Sequence, residues 1–242
     1  MSSTRQTSPP RARTEGAATA ADLVPDTFLA RLSADEREAL YAIGQRRSFR
    51  RGAVLMFQDE PDDRVMMLLA GRVKVVRIGN EGRETLLSIR DAGDLLGELA
   101  FVDGDPRVAT VSALEAVEAV VTSAQRLRRH LETTPRVAVV LLEIVVRRFR
   151  ESTLKHSQLG ASDTMGRLAA RIVELAVRYG EPREGVISVV SPISQEDLAA
   201  WTGASRAGVA EALRALRELG WVETDRRRLV IRNIEALRAR AA

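Results

Sequence analysis

The sequence has no cysteine and only two histidines, His130 and His156. The first absence excludes disulfides, thiolate zinc sites, iron–sulfur clusters and a cysteine nucleophile together. The second leaves too few imidazoles for a histidine-built metal site. No serine sits in a nucleophile-elbow context, and no phosphate-cradling loop ends in Gly-Lys-Ser/Thr. The inventory points away from an enzyme, and no resident cofactor is expected. No apolar run approaches the ~18 residues of a membrane span. No apolar segment of signal-peptide type stands at the start of the sequence. A cytoplasmic protein with no membrane partner is expected. Lysine is also scarce: Lys74 and Lys155 are the only two, so arginine carries nearly all the positive charge behind a formal net charge of +4.

What is present suffices for one large domain or two modest ones: 242 residues, 45% of them hydrophobic. Residues 1–22, rich in Ser, Thr, Pro, Arg and Ala, read as a flexible basic tail. Between Pro25 and Ile43 the apolar residues Phe28, Leu29, Leu32, Leu40 and Ile43 suggest short helices, with Ser33 and Glu36 forming a capping box. From Ser48 to about Thr122 the pattern changes to short Val-, Ile- and Leu-rich runs. Val65–Leu69, Val73–Ile78, Thr85–Ile89 and Val117–Val121 are separated by Gly, Asp and Pro, and Asn80-Glu81-Gly82 reads as a hairpin turn. That spacing predicts an antiparallel roll or barrel over residues 23–133. Residues 134–160 read as one long helix, opened by Thr134-Pro135. Its apolar stripe is Val137, Val140, Leu141, Ile144 and Val145, and Gly160 to Asp163 break it. A second helix is expected from Thr164 to Tyr179, ending at Gly180, followed by a hairpin around Glu184-Gly185.

The segment from Ile193 to Arg206 has the spacing of a helix-turn-helix. Ser194 caps a first helix beginning at Gln195, Gly203 supplies the tight turn and Ser205 caps a second helix. On that second helix Val209, Leu213 and Leu216 fall on one face. Arg206, Ala207, Ala210, Glu211, Arg214 and Arg217 are left toward the other. Its first turn is the part that enters a major groove, and Arg206 is placed to meet a guanine edge. Arg226, Arg227 and Arg228 form a basic turn between two short strands. A wing there contacts phosphates and makes binding salt-dependent. Residues 161–242 therefore read as a winged helix-turn-helix that binds duplex DNA.

Two stretches carry a family likeness. One runs through Gly71-Arg72-Val73-Lys74-Val75, Gly93-Asp94-Leu95-Leu96-Gly97-Glu98-Leu99-Ala100-Phe101 and Asp105-Pro106-Arg107-Val108-Ala109-Thr110. The other is the helix-turn-helix. Over about residues 24–232 the chain resembles the Crp/Fnr family of transcription regulators. The resemblance implies an α+β fold: an N-terminal cyclic-nucleotide-binding antiparallel β-roll, a long dimerisation helix and a C-terminal winged helix-turn-helix. It implies a homodimer on a palindromic operator, with RNA polymerase as a further partner. It also implies an allosteric effector, a cyclic nucleotide with cyclic AMP favoured, bound between roll and long helix. The alternatives are a cyclic dinucleotide, or no ligand and constitutive DNA binding.

The chemistry of the first stretch suits such a ligand. Gly97 opens a helical turn whose free amides can face an anion. Glu98 can accept from a ribose hydroxyl, and Arg107 can neutralise a cyclic phosphate. By resemblance Leu99 and Ala109 offer backbone donors, and Ser152 and Thr153 on the long helix reach the purine. Arg148, one turn earlier, is in position to pair with Glu98. Two departures stand out. Val108 occupies the place where cyclic-AMP binders carry Ser or Thr, with Thr110 two residues on. The recognition helix reads Ser205-Arg206-Ala207-Gly208-Val209, with Glu211 where the family has a basic residue, so the usual operator is not expected. The missing cysteines exclude the iron–sulfur branch of the family, and neither histidine stands where a haem ligand would be needed.

Overall fold

The computed structural model describes residues 23–79, 82–190, 193–225 and 228–241. Asn80 and Glu81 of the anticipated turn, Arg226 and Arg227, and the N-terminal tail lie outside them.

A 3-10 turn, Leu29–Arg31, leads to α1, Ala34–Ala42. The capping box at its start is present: the Ser33 side chain accepts from the Glu36 amide while Glu36 accepts from the Ser33 amide. Eight strands follow: β1 Gln45–Phe49, β2 Val54–Met56, β3 Arg64–Ala70, β4 Val73–Ile78, β5 Glu84–Arg90, β6 Leu95–Leu96, β7 Thr110–Ala113 and β8 Val117–Ser123. They form two antiparallel sheets, in the orders β1-β8-β3-β6 and β2-β7-β4-β5. These are the two walls of the anticipated roll. Between them pack Leu55, Met66, Leu68, Val73, Val111 and Val117. In β5 the buried Leu86 and Ile89 lie on either side of an irregularity in register with β4 and pack against the C-terminal domain, whereas Ser88 and Arg90 line a cavity.

A six-residue helix, α2 (Glu98–Asp103), interrupts the strands between β6 and β7. After β8 comes α3, Ala124–Thr133, capped by Ser123. The sequence pattern does not reveal it, because Leu127 is its one buried residue. The long helix α4 runs Pro135–Ala161, 27 residues or about 40 Å. It passes through Gly160 rather than breaking there. A glycine weakens a helix interior by only about 1 kcal/mol, and the chain leaves the helix at Ser162. Val137, Val140, Leu141 and Ile144 are buried against Phe28, Leu29, Val65 and Leu95. This stripe fixes α4 to the roll, each side chain contributing about 1.5–3 kcal/mol.

The C-terminal domain contains α5 Thr164–Tyr179, β9 Gly180–Arg183, β10 Val186–Val190, α6 Gln195–Thr202, α7 Arg206–Glu218, β11 Val222–Asp225, β12 Arg228–Ile231 and α8 Ile234–Ala241. Its strands pair in the order β11-β12-β10-β9. The turn between β9 and β10 carries Glu184 at φ 46° and Gly185 at φ 84°, the two positive values a tight hairpin needs. The core of this domain, built on Leu168, Ile172, Leu213 and Leu216, continues into the roll through Val76, Leu86 and Ile89. The two domains thus share one apolar seam.

Candidate effector cavity and DNA-binding face

A cavity of about 760 Å³ opens between the β2-β7-β4-β5 sheet, α2, α4 and the turn of the helix-turn-helix. That is within the range of small-molecule sites. Its wall includes Gly97, Glu98, Leu99, Arg107, Val108, Ala109, Arg148 and Ser152. Eight of the nine ligand-site residues expected from the sequence are therefore brought together.

Gly97 has φ 83° and precedes α2 without a side-chain cap. A β-carbon there would lie 2.5 Å from Nη1 of Arg107 and 2.9 Å from the Arg64 carbonyl. The glycine is what lets Arg107 lie beneath it. Arg107 is buried. Its Nη1 donates to the Gly97 carbonyl at 3.2 Å, its Nη2 donates to the Arg64 carbonyl and stands 3.4 Å from the Asp62 carboxylate. The Arg107 Nε is buried with no acceptor. Burial alone would raise the Asp62 pKa, but hydrogen bonds from Arg64 and the charge of Arg107 hold it below the usual carboxylate range.

Glu98 pairs with Arg148 at 2.5 Å, as its position suggested, and the same guanidinium holds Asp94 at 2.7 Å. Arg148 also donates to the Leu95 carbonyl at 2.9 Å. This two-carboxylate clamp joins α4 to the loop between β5 and β6 and to the first residue of α2. Glu98 and Arg107 do not pair with each other. Each has its own partner.

Ser152 lines the cavity and Thr153 does not. Thr153 lies about 100° further round the helix, toward the side that carries the exposed Leu142 and Val146. The Thr153 hydroxyl instead donates to the Phe149 carbonyl at 3.0 Å. Val108 is exposed, and the Thr110 hydroxyl accepts from the Gln58 amide at 3.0 Å.

The helix-turn-helix has the anticipated caps. The Ser194 side chain accepts from the Asp197 amide at 3.1 Å, and Asp197 completes a capping box with it. Gly203 takes φ 65° at the turn. The Ser205 side chain accepts from the Gly208 amide at 3.0 Å. Val209, Leu213 and Leu216 are buried. Gln195, Ala207, Ala210, Glu211, Arg214 and Arg228 are exposed. Arg206, also exposed, is ion-paired with Glu196 of α6.

Several contacts between the domains are invisible to sequence reasoning. Lys74 of β4 holds Asp197 at 2.5 Å, reaching the N-terminal cap of α6 from the roll. Arg83 donates to the Gly203 carbonyl at 2.6 Å. Asp91, buried at the end of β5, takes an ion pair from Arg178 and a hydrogen bond from the Tyr179 hydroxyl. Arg72 lies 5.2 Å over the Tyr179 ring. The only sequence signal for these was charge at the ends of apolar runs, which a solvated strand end also produces.

Residues 46–134 match the cyclic nucleotide-binding domain model, and residues 166–240 match the Crp-like helix-turn-helix domain model. The chain is 33% identical over 193 residues to the CRP-like cAMP-activated global transcriptional regulator of Mycobacterium tuberculosis strain H37Rv, covering 80% of this chain and 86% of that protein. It is 27% identical over 191 residues to the cyclic AMP receptor protein of Thermus thermophilus, covering 79% and 85%. Among solved structures it resembles a CooA mutant from Carboxydothermus hydrogenoformans, with TM-score 0.76 and 19% identity, covering 91% of this chain and 98% of that one. It also resembles the c-di-GMP responsive global regulator CLP of Xanthomonas campestris, with TM-score 0.74 and 20% identity, covering 83% and 100%. At these identities the structural likeness is one of fold.

Proposed function

The chain belongs to the Crp/Fnr family of transcription regulators, and from that premise we propose that it is a homodimer whose hold on a palindromic operator is set by a cyclic nucleotide in the cavity beside α4. Its work is regulation of transcription through DNA rather than catalysis.

One observation carries the effector reading: a single cavity gathers Gly97, Glu98, Arg107 and Ser152 of α4 on its wall. The Arg107 guanidinium is the kind of donor a phosphate oxygen takes. A cyclic phosphate at Arg107 places the ribose toward Glu98 and the base toward Ser152 of α4. Cyclic AMP, named in the mycobacterial and Thermus relatives, is the first nucleotide to test. A ligand shifts an equilibrium only through different affinity for the two states. The clamp of Arg148 on Glu98 and Asp94 is the element that differential binding would move.

Dimerisation rests on an exposed stripe of α4 that meets the cavity at Phe149. Val139, Leu142, Val146 and Phe149 are exposed, and their spacing of three, four and three residues is that of a coiled-coil seam. Thr153 continues the same series. A two-fold pair presents two copies of α7 to half-sites about one helical turn apart. Such a dimer works on DNA in the cytoplasm and meets RNA polymerase there.

The test combines calorimetry of cyclic nucleotides on the protein with operator binding by fluorescence anisotropy. Heat of binding that is abolished in Arg107→Ala, together with nucleotide-dependent DNA affinity, is expected. The constitutive reading has its own support, since Asp62 and two carbonyls already satisfy both terminal nitrogens of Arg107. It predicts operator affinity indifferent to every cyclic nucleotide.

A further inference from the structure

Among the arginines lining the cavity, Arg107 has Asp62, Arg148 has Asp94 and Glu98, and Arg171 has Glu174. Arg83 donates to the Gly203 carbonyl. Arg90 also lines the cavity. No hydrogen bond or ion pair engages its guanidinium among the described residues. It is the last residue of β5, paired with Val73 of β4. It lies two positions after Ser88 and so shares that residue's inward face. The charges that act on it are Arg148, Asp94, Glu98 and Arg178. These belong to the α4 clamp and to α5, so Arg90 lies toward the α4 side of the cavity rather than beside the phosphate position at Arg107.

Burial works against its charge, and so does the neighbouring Arg148 guanidinium. Yet Asp94 and Glu98 face Arg148 and Arg90 together, so the local charge is already balanced. What Arg90 lacks is an acceptor. A guanidinium has five donors in a fixed fork and accepts nothing.

The geometry points to Arg90 as the residue that reads the base of the bound nucleotide, selecting a 6-oxopurine such as guanine over adenine. This rests on the cyclic-nucleotide reading above. Guanine presents O6 and N7 side by side, two acceptors matched to a guanidinium fork. Adenine presents N7 beside an amino donor that opposes the fork. A second phosphate is the poorer candidate, because the two carboxylates already balance the charge at this end.

The experiment is calorimetric titration of the full-length protein with cyclic AMP, cyclic GMP and cyclic inosine monophosphate, which keeps O6 and N7 but lacks the 2-amino group. Cyclic GMP and cyclic IMP are expected to bind about tenfold tighter than cyclic AMP or better. Arg90→Met should erase that preference while leaving cyclic AMP binding in place, and its unliganded melting temperature should match the wild type or exceed it. Arg90→Lys, which keeps the charge and loses the fork, should lose most of the preference. Cyclic AMP binding as tightly as cyclic GMP overturns the assignment, as does a preference for cyclic GMP that survives Arg90→Met. Equal weakening of all three nucleotides by Arg90→Met does so too. Silence with all three nucleotides sinks the cyclic-nucleotide reading and this inference with it.

Discussion

The Tyr179 hydroxyl lies 2.9 and 3.1 Å from the two carboxylate oxygens of Asp91, across the junction between the roll and the DNA-binding domain. Asp91 sits three residues before Asp94, whose carboxylate is held by Arg148 at 2.7 Å. The Asp91 amide in turn donates to the Asp94 side chain at 3.0 Å. A short run of chain therefore touches α4 on one side and the end of α5 on the other. Two carboxylates three residues apart thus connect α4 to α5, the first helix of the C-terminal domain.

Tyr179→Phe removes one buried donor and leaves Asp91 with Arg178. The loss should be about 1–2 kcal/mol, read from urea unfolding. Asp91→Ala leaves Tyr179 without its acceptor and Arg178 with the Ile89 carbonyl and Glu174, and should cost more, about 3 kcal/mol. Limited proteolysis at the α4–α5 connection should accelerate in the same order. Equal stability of wild type and Asp91→Ala would mean that the domains do not rest on this contact in solution.

The Lys74–Asp197 pair should make domain association acid-sensitive. Burial raises the Asp197 pKa, but the Lys74 ammonium and the hydrogen bonds from Ser194 outweigh it and hold the carboxyl below its ordinary value. A carboxyl depressed in the folded state stabilises above its unfolded pKa, about 3.9. That contribution disappears as pH falls through the folded value. Lys74→Met should therefore lower the melting temperature at pH 7, and the gap from the wild type should close as pH falls through the depressed value of Asp197. A gap between the two proteins that did not change with pH would remove the ion pair as its cause.

Gly97 admits no side chain without displacing Arg107, since a β-carbon would meet Nη1 at 2.5 Å in a backbone at φ 83°. Gly97→Ala should abolish nucleotide binding. It should also destabilise the roll by at least about 1 kcal/mol, the lower end for a residue forced into a left-handed conformation. Circular dichroism melting and calorimetry separate the two effects. Retention of wild-type affinity would place the ligand elsewhere.

Short apolar runs bounded by Gly, Asp and Pro made β3, β4 and β5 legible, and a regular buried face from Leu168 to Ala176 made α5 so. The helix-turn-helix was legible through its caps, Ser194 and Ser205, and the turn at Gly203. The exposed strand β1, Gln-Arg-Arg-Ser-Phe, has no such face. It forms because β8 offers an open edge from Val117 to Val121. The pairing of Lys74 with Asp197 joins residues 123 positions apart and leaves no mark in a single sequence. Thr153, expected at the ligand, does not line the cavity of this chain, and its hydroxyl stays on the α4 backbone at the Phe149 carbonyl.

The recognition helix supplies the most direct test of DNA reading. Arg206, its first residue, is exposed yet ion-paired with Glu196 of α6, so meeting a guanine requires the guanidinium to exchange one acceptor for another. An exposed pair contributes only about 0–1 kcal/mol, whereas a bidentate contact to a guanine edge contributes about 1–3 kcal/mol of discrimination, so the exchange favours DNA. Arg206→Ala should weaken operator binding by about that amount and flatten the preference at one base pair of each half-site. Glu196→Gln should leave specificity intact and strengthen binding slightly, because the competitor is gone. Arg228→Ala, in the wing, should weaken all duplexes alike and reduce the salt slope by about one. Anisotropy between 50 and 200 mM salt distinguishes these patterns. If Arg206→Ala lowered affinity uniformly across sequences, with a changed salt slope, the arginine would be touching phosphate, and base reading would have to come from other positions on α7.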